Sequence, residues 1–519
     1  MEIISFTKED FRKYAVSDEA FDKIPSFYTI NELVKNGYDL YKNQPAIGKE
    51  DGTVATYEEF YLDVLKVARY LSDNNVARHT NVGLVSGNNY TFAVMSLGIM
   101  IYGCVAVLIP AHLDEKTVFG CSMKYMLSAV VFNDNLIEKA AIVAQMNKIP
   151  VFKTSEILAL DPTLDNEKYV NAEVNPSDDA AIIMTGGTTG RSKGALLSHE
   201  ALLAGTINGC YGIPRVFGEV YYCLIPLTHV FGFIRNFLTS VLTCSTIYFN
   251  EDKRKMFEDL AKIQPTELVL VPALAELFLN LIKTYGKGFI SARLATIICG
   301  AANVPPYLVR EYAKFDVNFC AGYGLTEFAN MVSGNPDGLN HPESVGMMFP
   351  DQEAKVVEGE LWLRGRNQLK CYFGEDEENK AAFEDGWFKT GDLVRFDEHN
   401  NLYIVGRIKD VIVLPNGENV SPAYIEQKIN ELDFIQDSLV YETTNALGAT
   451  ILKLEVTLRQ MVIKSLGLKE EEIQSYVISK IQEVNKTLIE HERVSEIVIR
   501  KEDFPRTPAM KIIRPKRMY

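Results

Sequence analysis

The run MTGGTTGRSKGALLSH, Met184 to His199, crowds glycines, threonine hydroxyls and two cations, Arg191 and Lys193, into one stretch. Glycines leave backbone N–H groups open to an oxyanion, hydroxyls add donors, and the cations add charge. That is the composition of a phosphate-binding loop, with a flexible surface turn as the competing reading. It is not a Walker A loop, which needs Lys followed by Ser or Thr. Here Ser192 precedes Lys193 and Gly194 follows it. A second concentration of charge closes the chain: Arg506 to Tyr519 holds five cations and no acid. Such a segment is either a solvated end or one that meets phosphates.

These residues need elements to carry them, and the pattern along the first 400 or so residues is mostly alternating helix and strand. TYEEFYLDVLKVARYLSDN (Thr56–Asn74) predicts a helix with an apolar stripe, capped by Thr56 with Glu59 three residues on. NVGLVSG, DDAAIIMTGG, LATIICG and VNFCAGYG predict strands that end in glycine-rich loops, and SHEALLAGTING predicts the helix after the first run. Strands of this kind build a largely parallel sheet with sites at their carboxyl ends. From about Gly359 the pattern changes to short strands with turn signals at Asp385-Gly386 and His399-Asn400-Asn401. After GRIKD it becomes a small α+β unit: helix SPAYIEQKINEL, strand SLVYET, helix EEEIQSYVISKIQEVNKTL and strand VSEIVIR. A boundary at 407–410 divides the two regions, giving domains 1–406 and 411–519.

Composition narrows the function. The chain has 519 residues, 47% of them hydrophobic, and a net charge of -15, so it buries large cores and lacks the basic footprint of a general nucleic-acid binder. Eight scattered cysteines form no CxxC pair, which excludes zinc and redox-pair readings and fits reduced thiols in the cytoplasm. The first residues, MEIISFTKEDFRK, lack the shape of a signal peptide. Phe92–Pro110 is uncharged and long enough to imitate a membrane span, but Gly103 splits it into a helical half and a β-rich half, CVAVLIP. A buried helix feeding a buried parallel strand is the expectation, with no transmembrane segment.

Thr185–Gly194 resembles the phosphate loop of the adenylate-forming superfamily, usually [ST]-S-G-T-T-G-x-P-K-G. Five further segments follow in that family's order: PLTHVFG (226–232), CGAANVPP (299–306), GYGLTE (322–327), TGD (390–392) with GRIKDVIVLPNGENVSP (406–422), and PRTPAMKIIR (505–514). Together they span nearly the whole chain, and the chain looks closest to the fatty or aryl acyl-CoA synthetases. The resemblance implies an α/β fold: a large N-terminal domain of parallel-type sheets flanked by helices plus a distorted β-barrel, and a small mobile α+β C-terminal lid.

The implied activity is attack of a carboxylate on the α-phosphate of ATP, giving an acyl-adenylate and pyrophosphate, then transfer to the thiol of coenzyme A. ATP, Mg²⁺ and coenzyme A are the implied ligands. Two anions meet in the first step, so catalysis is positioning and charge neutralisation. By the resemblance, Lys511 bridges carboxylate and α-phosphate, Glu327 ligates Mg²⁺ and Thr326 donates to the α-phosphate. Thr185, Gly186, Gly187, Thr188, Thr189, Gly190 and Lys193 hold the phosphates. Gly300, Ala301 and Ala302 leave room for adenine, on which Tyr323 of Gly322-Tyr323-Gly324 lies. Asp392 accepts the ribose hydroxyls beside Arg407, and Lys409 is the hinge about which the lid swings, presenting either Lys511 or the loop near Gly417. His229 stands at the mouth of the acyl pocket. PLTHVFGFIRNF has no Asp to hold an amino acid's amine, and Phe231 and Phe233 favour a fatty or aryl acid.

Three positions depart from the pattern. Gly186 and Ser192 replace the usual Ser and Pro, losing a hydroxyl donor and a fixed φ. Met510 stands where Gly is common before the lysine. Two other functions compete with the coenzyme A ligase. One is a ligase that loads the phosphopantetheine arm of an acyl carrier protein. The other is a non-catalytic acyl- or nucleotide-binding relative, which the presence of both Lys511 and Glu327 disfavours.

Overall fold

The computed structural model describes residues 2–185, 192–414, 418–445, 449–506 and 512–514. Two large sheets form the N-terminal domain. In the seven-stranded sheet, Asp179–Met184, Val105–Pro110, Asn81–Ser86, Leu127–Phe132 and Val151–Lys153 run parallel. In the nine-stranded sheet the parallel part runs from Asn318–Tyr323 through Thr296–Cys299, Glu267–Leu270, Val220–Cys223 and Thr246–Phe249 to Pro45–Gly48. A six-stranded antiparallel sheet built on Gln352–Val357, Glu360–Gly365 and Trp387–Phe396 supplies the distorted barrel.

The local predictions have clear physical outcomes. Tyr57–Asp73 is helical, and the Thr56 N–H donates to the Glu59 carboxylate at 2.8 Å to close the capping box. The span-like stretch is a helix, Tyr90–Tyr102, followed by the strand Val105–Pro110. Every residue of that helix except Thr91 is buried, so it is apolar on all sides because protein surrounds it. Gly103 ends it with φ 94°, a value only glycine adopts cheaply. Among the described residues no helix is long and apolar enough to cross a membrane.

One element differs from expectation. The strand Asp179–Met184 is followed, across the glycine-rich loop, by a second strand, Gly194–Ser198, paired antiparallel to it from Met184↔Gly194 to Asp179↔Ser198. The helix His199–Asn208 starts only afterwards, capped by the Ser198 hydroxyl. Met184 and Gly194 are therefore the paired ends of a hairpin stem, and no helix follows the glycine-rich run directly.

The C-terminal domain has its own core, formed by Ile412, Val420, Ile425, Val440, Leu454 and Ile481 among others. The helices Pro422–Asn430 and Glu470–Thr487 belong to it. Its sheet pairs Ile435–Thr444 with Thr450–Leu458, a strand the sequence pattern did not signal, and then with Glu496–Ile499. Arg459 joins this domain to the larger one: it pairs with Glu276 at 2.9 Å and lies over the Tyr307 ring.

Candidate functional site

The stem of the hairpin is tightly held. Thr185 N–H donates to the Lys193 carbonyl at 2.8 Å, and the Ser192 hydroxyl donates to the Thr185 carbonyl at 2.9 Å. Lys124 donates to the Ser192 carbonyl and pairs with Glu375. Ser192 thus takes up a hydrogen bond in the position where the family usually has Pro. Gly186, Gly187, Thr188, Thr189 and Gly190, with Arg191, lie outside the described residues.

Lys193 connects the stem to a second motif. Its Nζ lies 2.6 Å from Glu378 and 4.5 Å from the centre of the Tyr372 ring. The Tyr372 hydroxyl donates to Glu327 Oε1 at 2.6 Å. Burial and the Glu327 charge push the Tyr372 phenol well above its usual value, so it stays a donor. The exposed Glu378 is held below the ordinary carboxylate range by the hydrogen bond from Lys193. Such a partly exposed pair contributes little to stability. Tyr372 and Glu378 had no signal in the sequence, because their partners lie 45 and 185 residues away.

Glu327 and Thr326 sit on the single turn Thr326–Phe328. The Glu327 carbonyl accepts from Leu369 N–H, and the Asn367 amide donates to the Phe328 and Met331 carbonyls. Gly324 is obligatory here: a Cβ on it would lie 1.3 Å from the Asn330 carbonyl oxygen. A single carboxylate oriented by a phenol matches the preference of Mg²⁺ for few protein ligands beside phosphate oxygens. Among the described residues no cluster of three or more metal-ligating side chains occurs.

Gly300–Ala302 follows the strand Thr296–Cys299, and Gly322-Tyr323 ends the neighbouring strand before Gly324, with the two strands in register at Cys299↔Ala321. A Cβ on Gly300 would lie 3.1 Å from the Gly322 carbonyl and 3.6 Å from the Phe231 ring. The absent side chain therefore lets the two backbones approach closely, with the Phe231 ring beside them. Ala301 has φ 66°, a backbone cost usually found at functional turns.

The half-buried Tyr323 turns its hydroxyl inward to Asp392 Oδ2 at 2.5 Å, and Arg407 Nε donates to Asp392 Oδ1 at 2.6 Å. Asp392 and Arg407 are cross-strand partners, and the Asp392 side chain is 3% exposed. Asp392 raises the Arg407 pKa, while burial and then Asp392 raise that of Tyr323. Arg407 Nη2 also reaches Oδ2 at a long 3.5 Å, so it is Oδ1 that keeps a lone pair for a further donor.

His229 is half-buried at the start of a π-helical segment, Phe231–Leu238, and its Nδ1 accepts from Phe231 N–H at 3.2 Å. Lys409 is exposed on the turn Ile408–Asp410 at the start of the C-terminal domain. Lys511 lies outside the described residues. The basic terminus is not simply a solvated end: Arg506 pairs with Asp437 and Arg514 with Glu426.

The hairpin stem, the Glu327 turn, the close Gly300–Gly322 approach and the Asp392–Arg407 pair lie at the ends of the N-terminal strands. Residues 38–373 match the AMP-binding enzyme model, and residues 409–518 match the AMP-binding enzyme C-terminal domain. The chain belongs to the AMP-binding enzymes. It is similar to the 4-coumarate--CoA ligase-like 2 of Arabidopsis thaliana, at 25% identity over 89% of this chain and 86% of that protein. The long-chain-fatty-acid--CoA ligase of Haemophilus influenzae is 24% identical over 97% of each. Among solved structures, an anthranilate CoA ligase in complex with anthranoyl-AMP superposes with TM-score 0.82 at 18% identity, covering 94% of this chain and 96% of that one.

Proposed function

We infer that this enzyme is an AMP-forming acid–thiol ligase that activates a carboxylic acid with ATP and passes the acyl group to coenzyme A. The observation that carries the reading is the unbroken line of contacts from Lys193 through Tyr372 to Glu327. It joins the stem of the phosphate loop to the turn that offers a metal ligand.

The roles are those the family resemblance implies, with these contacts in support. Lys193 leaves Glu378 for the triphosphate. At about 4 Å and an effective dielectric near 20, one such cation is worth about 4 kcal/mol to an anion. Glu327 is the residue that would hold Mg²⁺, which would neutralise phosphate charge. Thr326 hydrogen-bonds the α-phosphate next to it. Asp392 accepts the ribose hydroxyls, fixed by Arg407 and Tyr323. Adenine lies beside Gly300, Ala301 and Ala302, where no side chain is longer than a methyl. Lys511 bridges the two anions of the first step. The lid turns about Lys409 within 407–410, so that residues 411–519 serve both half-reactions. Phe231 supports an acid with a largely apolar body, entering past His229, while Phe233 is packed in the core against Phe92 and Phe237. Eight free thiols, most of them buried, support a cytoplasmic location.

Pyrophosphate exchange over a panel of carboxylic acids tests the reading, followed by thioester formation with coenzyme A and, separately, with a holo carrier protein. Exchange with apolar acids and near-complete loss in Lys511→Ala are expected. Exchange with amino acids alone refutes the substrate class, and full activity in Lys511→Ala refutes that lysine's role. Thioester formed only on the carrier makes the enzyme a carrier-protein ligase.

A further inference from the structure

Two helices of the N-terminal domain start beside the glycine loop. Pro272–Tyr285 follows the strand Glu267–Leu270, and Pro306–Ala313 follows the CGAANVPP run. The Gly300 N–H donates to the Leu270 carbonyl at 3.2 Å, and the Tyr312 hydroxyl donates to the Ala275 carbonyl at 2.7 Å, so the loop and both helices are joined. Against these helices, at Glu276 and Tyr307, the C-terminal domain sets Arg459.

Arg459 is held on its own side as well. Its N–H donates to the Phe434 carbonyl at 2.8 Å and its Nη1 to the Asp433 carbonyl at 2.7 Å. The guanidinium then meets Glu276 Oε1 through Nη2 and lies 4.5 Å from the centre of the Tyr307 ring. The Arg459 and Glu276 side chains are 10% and 17% exposed. Burial raises the Glu276 pKa, and Arg459 opposes the rise. An ion pair this deep roughly breaks even against hydrating both charges, whereas removing one partner strands the other. It therefore selects one seat for the C-terminal domain without making that seat permanent.

The seat determines what faces the nucleotide. Asp437 is opposite Thr457 in the C-terminal sheet, two residues before Arg459, and it pairs with Arg506. Arg506 is bridged antiparallel to Ile512. The residues that flank 507–511 are thus anchored at the corner of the domain that carries Arg459.

We propose that Arg459 is a positioning residue for the first half-reaction: seated on Glu276 and Tyr307, it holds the C-terminal domain in the orientation that serves adenylation, and it leaves that seat before thioester formation. The proposal rests on the ligase reading above and assigns the contact that separates its two steps.

Two assays on the intact enzyme read those steps apart. Pyrophosphate exchange reports adenylation, and transfer from a synthetic acyl-adenylate to coenzyme A reports thioester formation. Arg459→Met keeps the apolar stem and removes the charge. Exchange should fall at least about tenfold, the shift expected from losing one charge-assisted hydrogen bond, while transfer stays within about twofold of wild type or rises. Glu276→Gln, on the other side of the contact, should give the same division and carries the test where Arg459→Met fails to fold. Equal loss in both steps makes the contact merely structural and overturns the proposal. So does loss of transfer alone, which assigns the seat to the second step, or exchange unchanged in both variants. Absence of exchange with every acid in the wild type refutes the ligase reading itself, and with it this inference.

Discussion

Replacing Asp392 by Asn tests the proposed ribose site most directly, because the nucleotide can be altered as well as the protein. The Asp392 carboxylate is buried and already holds Tyr323 and Arg407, yet its remaining lone pairs face no other donor in the described hydrogen bonds. Two ribose hydroxyls donating to an ionised acceptor contribute about 1.5–3 kcal/mol each, or about 3–6 kcal/mol together. At about 1.4 kcal/mol per tenfold, 2′,3′-dideoxy-ATP should lose at least about a hundredfold in kcat/KM with the wild-type enzyme. The Asp392→Asn side chain keeps the shape but offers one neutral acceptor, and neutral hydrogen bonds are about half as strong. The dideoxy penalty should then shrink to about 1–2 kcal/mol. Pyrophosphate exchange with ATP and with dideoxy-ATP, in wild type and Asp392→Asn, gives the four rates of a double-mutant cycle. If dideoxy-ATP is penalised equally in both proteins, the carboxylate does not touch the ribose and the assignment fails, however inactive the variant is. Arg407 is half-exposed, so its charge is not stranded in the core by the substitution.

Tyr372→Phe removes the donor that orients Glu327, and the Mg²⁺ concentration for half-maximal exchange should rise about 10–100-fold; an unchanged requirement separates Glu327 from the metal. Glu267→Ala leaves Arg235 as an uncompensated buried charge and should cost about 3–5 kcal/mol in denaturant unfolding, whereas a loss below about 1 kcal/mol means the pair is not buried as described. His199 is buried with Nδ1 accepting from Ile30 N–H, and burial lowers its pKa from 6.5 to about 4. Its contribution is complete above pH 6.5 and is lost as pH falls towards 4, because the unfolded state then binds a proton the native one does not. The loss approaches about 3 kcal/mol, so His199→Gln should flatten stability against pH across that window; an unaltered slope refutes the assignment.

Local chemistry was legible wherever near neighbours decide the outcome. The Thr56–Glu59 capping box, the Gly103 break and the glycine-ended parallel strands follow from residues within a few positions of each other, and each formed as read. The six ordered motifs likewise identified the family. What sequence could not supply was long-range pairing. GALLS is too short to show a period, and its pairing with Asp179–Met184 made it a strand. Arg235 stood out as the lone charge in an apolar run, but only the neighbouring strand gave it Glu267, 32 residues away. Tyr372 and Glu378 became part of the candidate site only because the chain returns alongside the hairpin. Backbone propensity and capping act over one turn, whereas charge partners, burial and long-range hydrogen bonds belong to the packed molecule.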